Sequence, residues 1–599
     1  MKHLFSPAAC TAAFLCGALT GSNAVAEDGI WSGAPIVITA GRTEQRLDTV
    51  PARITVLDRD AIERSQAPDL LELLRLEAGV DLARTGGPGG QTSVFIRGSN
   101  SNHVLVLIDG VRVAASGTGA FTWEILDPAL IERIEIVRGP RAARWGSDAI
   151  GGVIQIFTRR GPGTEAALRY ASHDDRRAAA RWGSETLSLS AVARKVDGFS
   201  SQNPRGFAFD PDDDGFRNLG AAAGARFDLA GGTLDWRGRI ASGRTEFDQG
   251  ESDFDNASWR ADFRGPANAV WQLQAGLGML DDRLETETAF GTNKVKTRRW
   301  QADLLLERTF NGRHSWLLGL DTWREHGESR AQWDETRSNF GLFAGLDGQV
   351  GAVGYELALR LDDDENFGTE PSGNLGLNWR MDNSLRLYAS IGRGFRAPDF
   401  SQLYSPGFGG LFAGNPALEP ERSWSAELGL DWQLAAGQRL DLSLFDNRID
   451  DLIDFSGPNF GAINIREARI RGLELGHDLR LSAWSSSFKL TWQDPEDRNT
   501  GQALLRRPDL KGNWVLERDL GQQARAGLEL VHVGRRSDVG GVRLASYTLL
   551  NLRAAWRWRN HFSAELRLDN LDGRDIEPLF GFNAAGRTLQ FQLGWRSSD

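Results

Sequence analysis

What most constrains this chain is a period of two. From about Thr164 to the C-terminus, segments of 9–11 residues alternate apolar and polar side chains, with turns between them. Trp424, Ala426, Leu428, Leu430, Trp432 and Leu434 fall on one side, and Ser425, Glu427, Gly429, Asp431 and Gln433 on the other. Leu440, Leu442 and Leu444 repeat the pattern, as do Leu589, Phe591, Leu593 and Trp595 against Gln590, Gln592 and Gly594. Successive side chains of a strand point to opposite faces, so each segment reads as a strand with one apolar and one polar face. A soluble β-structure would turn the apolar face to a core. A membrane barrel turns it to lipid, keeps the polar face for the lumen and adds aromatic girdles.

Three features favour the barrel. Glu, Asp, Gln and Arg recur on the polar faces. Aromatic residues recur at segment ends, including Trp379, Trp432, Trp556 and Trp558. Connections alternate in length: Met381-Asp382-Asn383-Ser384 is short, and the next, from about Gly394 to Glu421, is long. Residues 163–599 number 437. At ~20 residues per strand and connection they predict an all-β transmembrane barrel of about 22 antiparallel strands, a size whose lumen needs a plug. Residues from about Pro35 to Gly161 have another texture and supply an α+β candidate for it. Ile36-Val37-Ile38, Arg53–Leu57 and Val104–Ile108 are short β-prone runs, the last apolar on both faces as a buried strand is. Asp69–Leu74, after Pro68, has helical spacing.

Residues 1–26 hold one charge, Lys2, then an apolar stretch from Leu4 to Leu19, and end in Asn23-Ala24-Val25-Ala26 before Glu27-Asp28. This is the pattern of an export signal. As a membrane anchor it would be short and interrupted by Ser6, Pro7, Thr11 and Gly17. Both cysteines, Cys10 and Cys16, lie inside it, so the exported chain would have neither disulfide nor thiol chemistry. The formal net charge of −11 argues against nucleic acid as a partner, because phosphate binding needs a basic surface. After the first ~25 residues no run reaches about 18 uncharged apolar residues, which excludes a bundle of membrane helices.

Several motifs then point to a family. They are Phe95-Ile96-Arg97-Gly98, Val104–Arg112, Ile134–Pro140 and Trp145–Ile154 in the first unit, and Gly394–Pro398, Asn415–Glu421, Asp451–Asp454 and Ala468–Glu474 in the second. On these the chain resembles the TonB-dependent outer-membrane receptors, and within that family it is most similar to those for cobalamin (vitamin B12). The resemblance implies a signal peptide over 1–26, a periplasmic segment with the TonB box over 27–46, a plug domain over 47–162 and the barrel over 163–599. It further implies a monomer in the outer membrane of a Gram-negative bacterium, surrounded by outer-membrane lipid. Cobalamin or a related corrinoid would be the substrate. TonB, with its inner-membrane proton-driven complex, would be the partner. Independently of any family, Arg97, Arg138, Arg141 and Arg144 inside a closed lumen need acidic partners, which inward-facing barrel residues could provide.

Three constellations carry the candidate chemistry. Ile36-Val37-Ile38-Thr39-Ala40 resembles the TonB box, which pairs with TonB by strand addition, a mode resting on main-chain hydrogen bonds. The alternative is an ordinary plug strand. Asp210-Pro211-Asp212-Asp213-Asp214-Gly215 matches the first half of a calcium loop, but the twelfth position is Ala221 where a bidentate Glu is required. The resemblance assigns calcium to Asp212, Asp214 and Asp248, with Asp253 or Asp255 adding a ligand from the next long connection. The alternative is a solvated acidic loop making Asx-turns. The third is a ligand surface on plug loops 85–92 and 114–121. Thr85, Gln91, Thr92 and Thr118 would face a large polar ligand there, and Phe247 and Phe582 match positions at which the cobalamin receptors present tyrosines.

Enzymatic readings find little. The 8 histidines form no H-x-x-x-H pair, and there is no G-x-S-x-G, Walker loop or reactive cysteine. No redox cofactor is expected. Three readings compete with cobalamin import: a receptor of the same fold for an iron–siderophore or haem, an outer-membrane hydrolase, and a passive diffusion barrel.

Overall fold

A computed structural model describes residues 36–597 apart from 116, 118, 290, 331, 408–410, 457–458 and 560. The export signal, residues 27–35 of the N-terminal segment and Thr118 lie outside the described residues. Twenty-two antiparallel strands between Gly163 and Arg596 close into a barrel, and a two-residue strand, Gln502–Ala503, adds to the end of Trp484–Asp497. Thr588–Arg596 completes the ring against Gly163–Ala171, with Leu593 opposite Leu168.

The alternation sorts as the sequence predicts. On Glu421–Ala435, Trp424, Leu428 and Trp432 are 50%, 57% and 42% exposed, while Ser423, Glu427 and Asp431 are buried. Trp484 and Trp492 repeat the spacing of Trp424 and Trp432 on Trp484–Asp497. Eight residues at ~3.4 Å each, on strands tilted by ~40°, span about 21 Å along the barrel axis, close to the ~25 Å apolar band of a membrane barrel. No helix among the described residues is long and apolar enough to cross a membrane.

The strands outrun the 9–11 residues expected of them. Gly291–Phe310 has 20 and Gly461–Leu481 has 21. Beyond the aromatic belt the ladder continues through residues polar on the outer face, such as Glu285 opposite Lys294, so hydrogen bonding persists where hydropathy no longer alternates. Tight turns such as Ala436-Gly437 close one end, and long loops over 197–215, 397–420 and 570–587 crown the other.

Inside sits an α+β plug. β1 (Ile36–Val37) pairs with β2 (Gln45–Arg46). β3 (Ile54–Leu57) is followed by α1 (Arg59–Ser65) and α2 (Leu70–Arg75); Asp69 caps α2 by accepting from Glu72 N, as the Pro-Asp start suggested. β4 (Val80–Arg84) and β5 (Thr92–Ile96) form a hairpin. β6 (Val104–Ile108), β7 (Val111–Arg112), β8 (Ile131–Arg138) and β9 (Gly152–Thr158) complete a five-stranded sheet in the order β3-β8-β9-β6-β7, with β6 parallel to β9. All five β6 residues are buried. Leu71, Leu74, Ile96, Val106, Ile134 and Ile154 centre a conventional apolar core.

The four plug arginines meet carboxylates of the barrel. Arg97 lies 2.8 Å from Glu427 and 3.0 Å from Glu474, Arg138 3.7 Å from Glu474, Arg141 2.6 Å from Glu356 and Arg144 2.7 Å from Asp347. Each buried charge is thereby compensated.

Candidate functional site

The N-terminal segment is folded onto the plug at the end closed by tight turns. Ile36 is half-exposed, but Val37, Thr39 and Ala40 are buried, and Val37 and Ala40 pack with Val50 and Ala52. The Glu135 carboxylate of β8 accepts from Ile38 N (3.0 Å) and Thr39 N (2.9 Å), and the Thr39 hydroxyl lies 2.6 Å from the same oxygen. Trp145 Nε1 donates to Thr39 O (2.7 Å). Arg42 reaches the barrel at Asp321 (2.6 Å). In this arrangement the Ile36–Ala40 segment is sequestered, with the backbone groups of Ile38 and Thr39 partnered by side chains of the plug.

At the opposite end the acidic loops divide the five proposed metal ligands. Asp214 and Asp248 are buried, and each accepts backbone hydrogen bonds from the loop that carries Asp210–Gly215. Asp214 Oδ2 accepts from Ser201 N (2.6 Å), and Asp248 accepts from Gln202 N and Asp210 N (2.7 Å each). Burial, and then the charges of Asp248 and Asp212, push the Asp214 carboxyl up to about 6. Burial and the neighbouring Asp210 raise Asp212 as well. Among the described residues no Arg or Lys forms an ion pair with Asp212, Asp214 or Asp248, so negative charge accumulates there without an internal counter-ion. Hard carboxylate oxygens of this kind fit calcium in donor type, but they do not converge as a ligand set: among the described residues only His326, Glu328 and Asp334 bring three such ligand atoms within 4.8 Å of one another.

Asp253 and Asp255 do not belong to this cluster. The sequence reading put them in a long connection, but the connection is the turn Asp248-Gln249, and both lie within the strand Gly250–Pro266. The hairpin ladder continues through them, with Arg244 opposite Asp253 and Ser242 opposite Asp255. Asp253 is spent on an ion pair with Arg244 (2.6 Å), and Asp255 is exposed on the outer face. Asp210 is the acidic neighbour the sequence reading passed over, although it opens the same motif.

The plug's apical hairpin is braced against these loops. Gly86 (φ +78°) and Gly89 (φ +87°) turn the 85–91 connection, and a Cβ on either would collide with Ser201 or with Phe216. Ser201 is the residue whose N–H Asp214 holds, so the plug apex packs closely against the loop segment that Asp214 fixes. Of the proposed ligand contacts among the described residues, Gln91 is the exposed polar side chain, Thr85 is half-buried and Thr92 is buried. The Thr85 hydroxyl donates to Gln91 O, and Thr92 is buried with its hydroxyl donating to Gly90 O. In this arrangement both hydroxyls brace the turn, because a β-hairpin connection satisfies its own carbonyls with nearby hydroxyls. Phe247 ends its strand directly beside Asp248. Phe582 packs on Ala83 and Phe95 of the plug, and pairs with Gln202 of the acidic loop. Phe207, on that loop and 93% exposed, was not singled out from sequence, although an apolar residue amid Asn, Pro, Gly and Asp marks it.

The chain belongs to the TonB-dependent receptor family. The TonB dependent receptor-like beta-barrel model matches residues 158–571, and the TonB-dependent Receptor Plug Domain matches residues 46–153. It is therefore an outer-membrane β-barrel protein of a Gram-negative bacterium. Among curated relatives it is 28% identical over 585 residues to the vitamin B12 transporter BtuB of Photobacterium profundum, covering 92% of this chain and 94% of that one. It is 29% identical over 578 residues to the vitamin B12 transporter BtuB of Vibrio vulnificus, covering 90% and 91%. Among solved structures it resembles a mutant of the ferric enterobactin receptor PfeA of Pseudomonas aeruginosa, with TM-score 0.79, 18% identity, and 94% of this chain and 100% of that one covered. The siderophore receptor PirA of Acinetobacter baumannii follows at TM-score 0.77 and 16% identity, with 91% and 98% covered. At such identities the structures speak for the fold alone.

Proposed function

We propose that this receptor imports cobalamin, or a related corrinoid, into the periplasm by TonB-energised transport. The observation that carries the reading is the end-to-end likeness to two vitamin B12 transporters. The negative charge of Asp212, Asp214 and Asp248, which have no basic ion-pair partner among the described residues and of which Asp212 and Asp214 are raised by burial and by their acidic neighbours, agrees with it. In this reading calcium supplies positive charge to those carboxylates when bound. The protein's own part is to hold them: Ser201 N and the Gln202 and Asp210 N–H groups orient Asp214 and Asp248, and the apical hairpin rests on the same chain. Gln91, Phe247 and Phe207 then present polar and apolar surface to the ligand from outside. Ligand binding frees Ile36–Ala40 from Glu135, and TonB adds to the released strand. The substrate leaves chemically unchanged.

Deleting Ile36–Ala40 should abolish uptake of labelled cobalamin while binding to intact cells persists; unchanged uptake would refute the coupling. Binding should weaken when a chelator removes calcium. If cobalamin fails to bind in calcium, the substrate assignment is wrong and an iron–siderophore takes its place.

A further inference from the structure

Above the apolar band, one hairpin of the barrel wall carries metal-type donors that the import cycle leaves unused. It joins the strands His314–Ser329 and Trp333–Val350 at the end where the long loops lie, with His326 opposite Thr336 and Glu328 opposite Asp334. Residues two apart on a strand share a face, so His326 and Glu328 point the same way, and the register sets Asp334 beside them. That face is the outer one. Further down the same two strands it carries the exposed Leu318, Leu320, Phe340 and Leu342. From Phe340 to Thr336, four residues at ~3.4 Å on a strand tilted by ~40° place the group about 10 Å beyond the band. It is open to the outside.

The three donors converge. Ligand atoms of His326, Glu328 and Asp334 all lie within 4.8 Å of one another. His326 Nδ1 stands 3.6 Å from Asp334 Oδ1. Two donors held ~2.1 Å from a tetrahedral zinc ion lie ~3.4 Å apart, so this edge of the site is nearly formed. The arrangement also lacks something. Carboxylates directly opposite each other across a ladder repel. Lys296, opposite Glu328 on its other side, pairs with Glu328 Oε1. Among the described residues the ion pair of Asp334 is with His326, which is charged only when protonated. A cation between the strands would remove the repulsion.

We propose that His326, Glu328 and Asp334 form a site for a divalent transition-metal ion of the zinc class. Imidazole suits zinc, copper and nickel, whereas calcium and magnesium prefer oxygen alone, and the two carboxylates supply the compensating charge. On binding, His326 Nδ1 gives up the Thr336 hydroxyl (3.1 Å) for the metal. Three protein ligands leave a fourth position to water or to a group from outside. The ion ties the two strands together at their tip. On the inner face of that tip, Trp333 packs on Phe400 (5.5 Å between ring centroids), in the short helix Phe400–Tyr404 of the 397–420 loop. A Cβ on Gly327 would strike both rings, so the packing is close. A metal outside thus steadies a loop inside. The site is separate from the acidic loops, and the inference stands without the import reading.

Zinc chloride is titrated into the full-length receptor, purified in detergent without a histidine tag. It should bind saturably, and His326→Ala and Asp334→Asn should each weaken that binding by at least about tenfold, since even outer-shell partners of a metal are worth ~10–100-fold. The chain has 8 histidines, so binding alone does not place the ion. Amide hydrogen exchange should therefore slow across residues 326–336 when zinc is added, and calcium in large excess should not reproduce the effect. Should a variant fail to assemble, the exchange measurement on the unsubstituted receptor decides. Absence of saturable binding, equal binding by the variants, unchanged exchange over 326–336, or the same protection by calcium would each overturn the proposal.

Discussion

The plug and the barrel are built from similar residues sorted in opposite directions. In the plug, Leu105, Val106 and Leu107 are buried and charge lies at the margins; in the barrel, Leu428 and Trp424 face outward while Glu427, Ser443 and Glu474 are buried. The difference teaches which solvent each unit meets. A plug strand escapes water by facing apolar neighbours. A barrel strand meets hydrocarbon outside and a charged protein surface inside, so its polar face is its interior.

The sharpest way to break this contrast is at the contact between the units. Glu474 is buried against Arg97, Arg53 (3.4 Å) and Arg138. Glu474→Ala should destabilise the plug in the barrel by about 3–5 kcal/mol, because it strands buried guanidinium charge; denaturant unfolding of the purified receptor in detergent reads the loss. In the plug core, Leu105→Ala should cost about 2–5 kcal/mol through lost burial and a residual cavity, measured in the same way. On the outer face it is the gain of a charge, not its loss, that should cost stability. Leu428 lies midway between the belt residues Trp424 and Trp432, so Leu428→Arg should cost about 2–4 kcal/mol in bilayers, whereas the same charge placed beyond the belt should cost little.

The smallest effect concerns the loops. The Asp214 carboxyl titrates at about 6, above its unfolded value, because burial and neighbouring acids oppose its charge. Its stabilising contribution is therefore complete below the unfolded value and is lost as pH rises through about 6. Without calcium, the 197–215 loop should become more sensitive to protease over that interval. Calcium affinity should rise over it, since the cation binds the carboxylate form. Protease sensitivity that ignored both pH and calcium would detach this cluster from the ordering of the loops.

The barrel was legible because a two-residue period survives in many of its strands, as in Glu421–Ala435 and Thr588–Arg596. The burial of Val104–Ile108 and the need of Arg97, Arg138, Arg141 and Arg144 for acids were legible too, since apolar runs and lumenal charge each have few solutions. Strand ends were not. Hydropathy falls silent above the belt while the ladder runs on, so Asp253 and Asp255 read as loop residues although they are paired strand residues. Nothing local in the sequence shows that the Thr92 hydroxyl closes a turn onto Gly90 O.

By itself, then, the sequence determined the barrel, its approximate strand number, the plug and the residues that had to find charge partners, because these follow from periodicity and from the cost of unpaired charge. Only the tertiary structure decided which acids meet which arginines and that Asp214 and Asp248, from two different connections, hold backbone N–H groups of the same 197–215 loop while Asp253 pairs with Arg244. It alone decided that the Ile36–Ala40 segment lies held at Glu135 through Ile38 and Thr39. Those choices depend on register and on contacts between residues up to several hundred positions apart, and no local pattern encodes them.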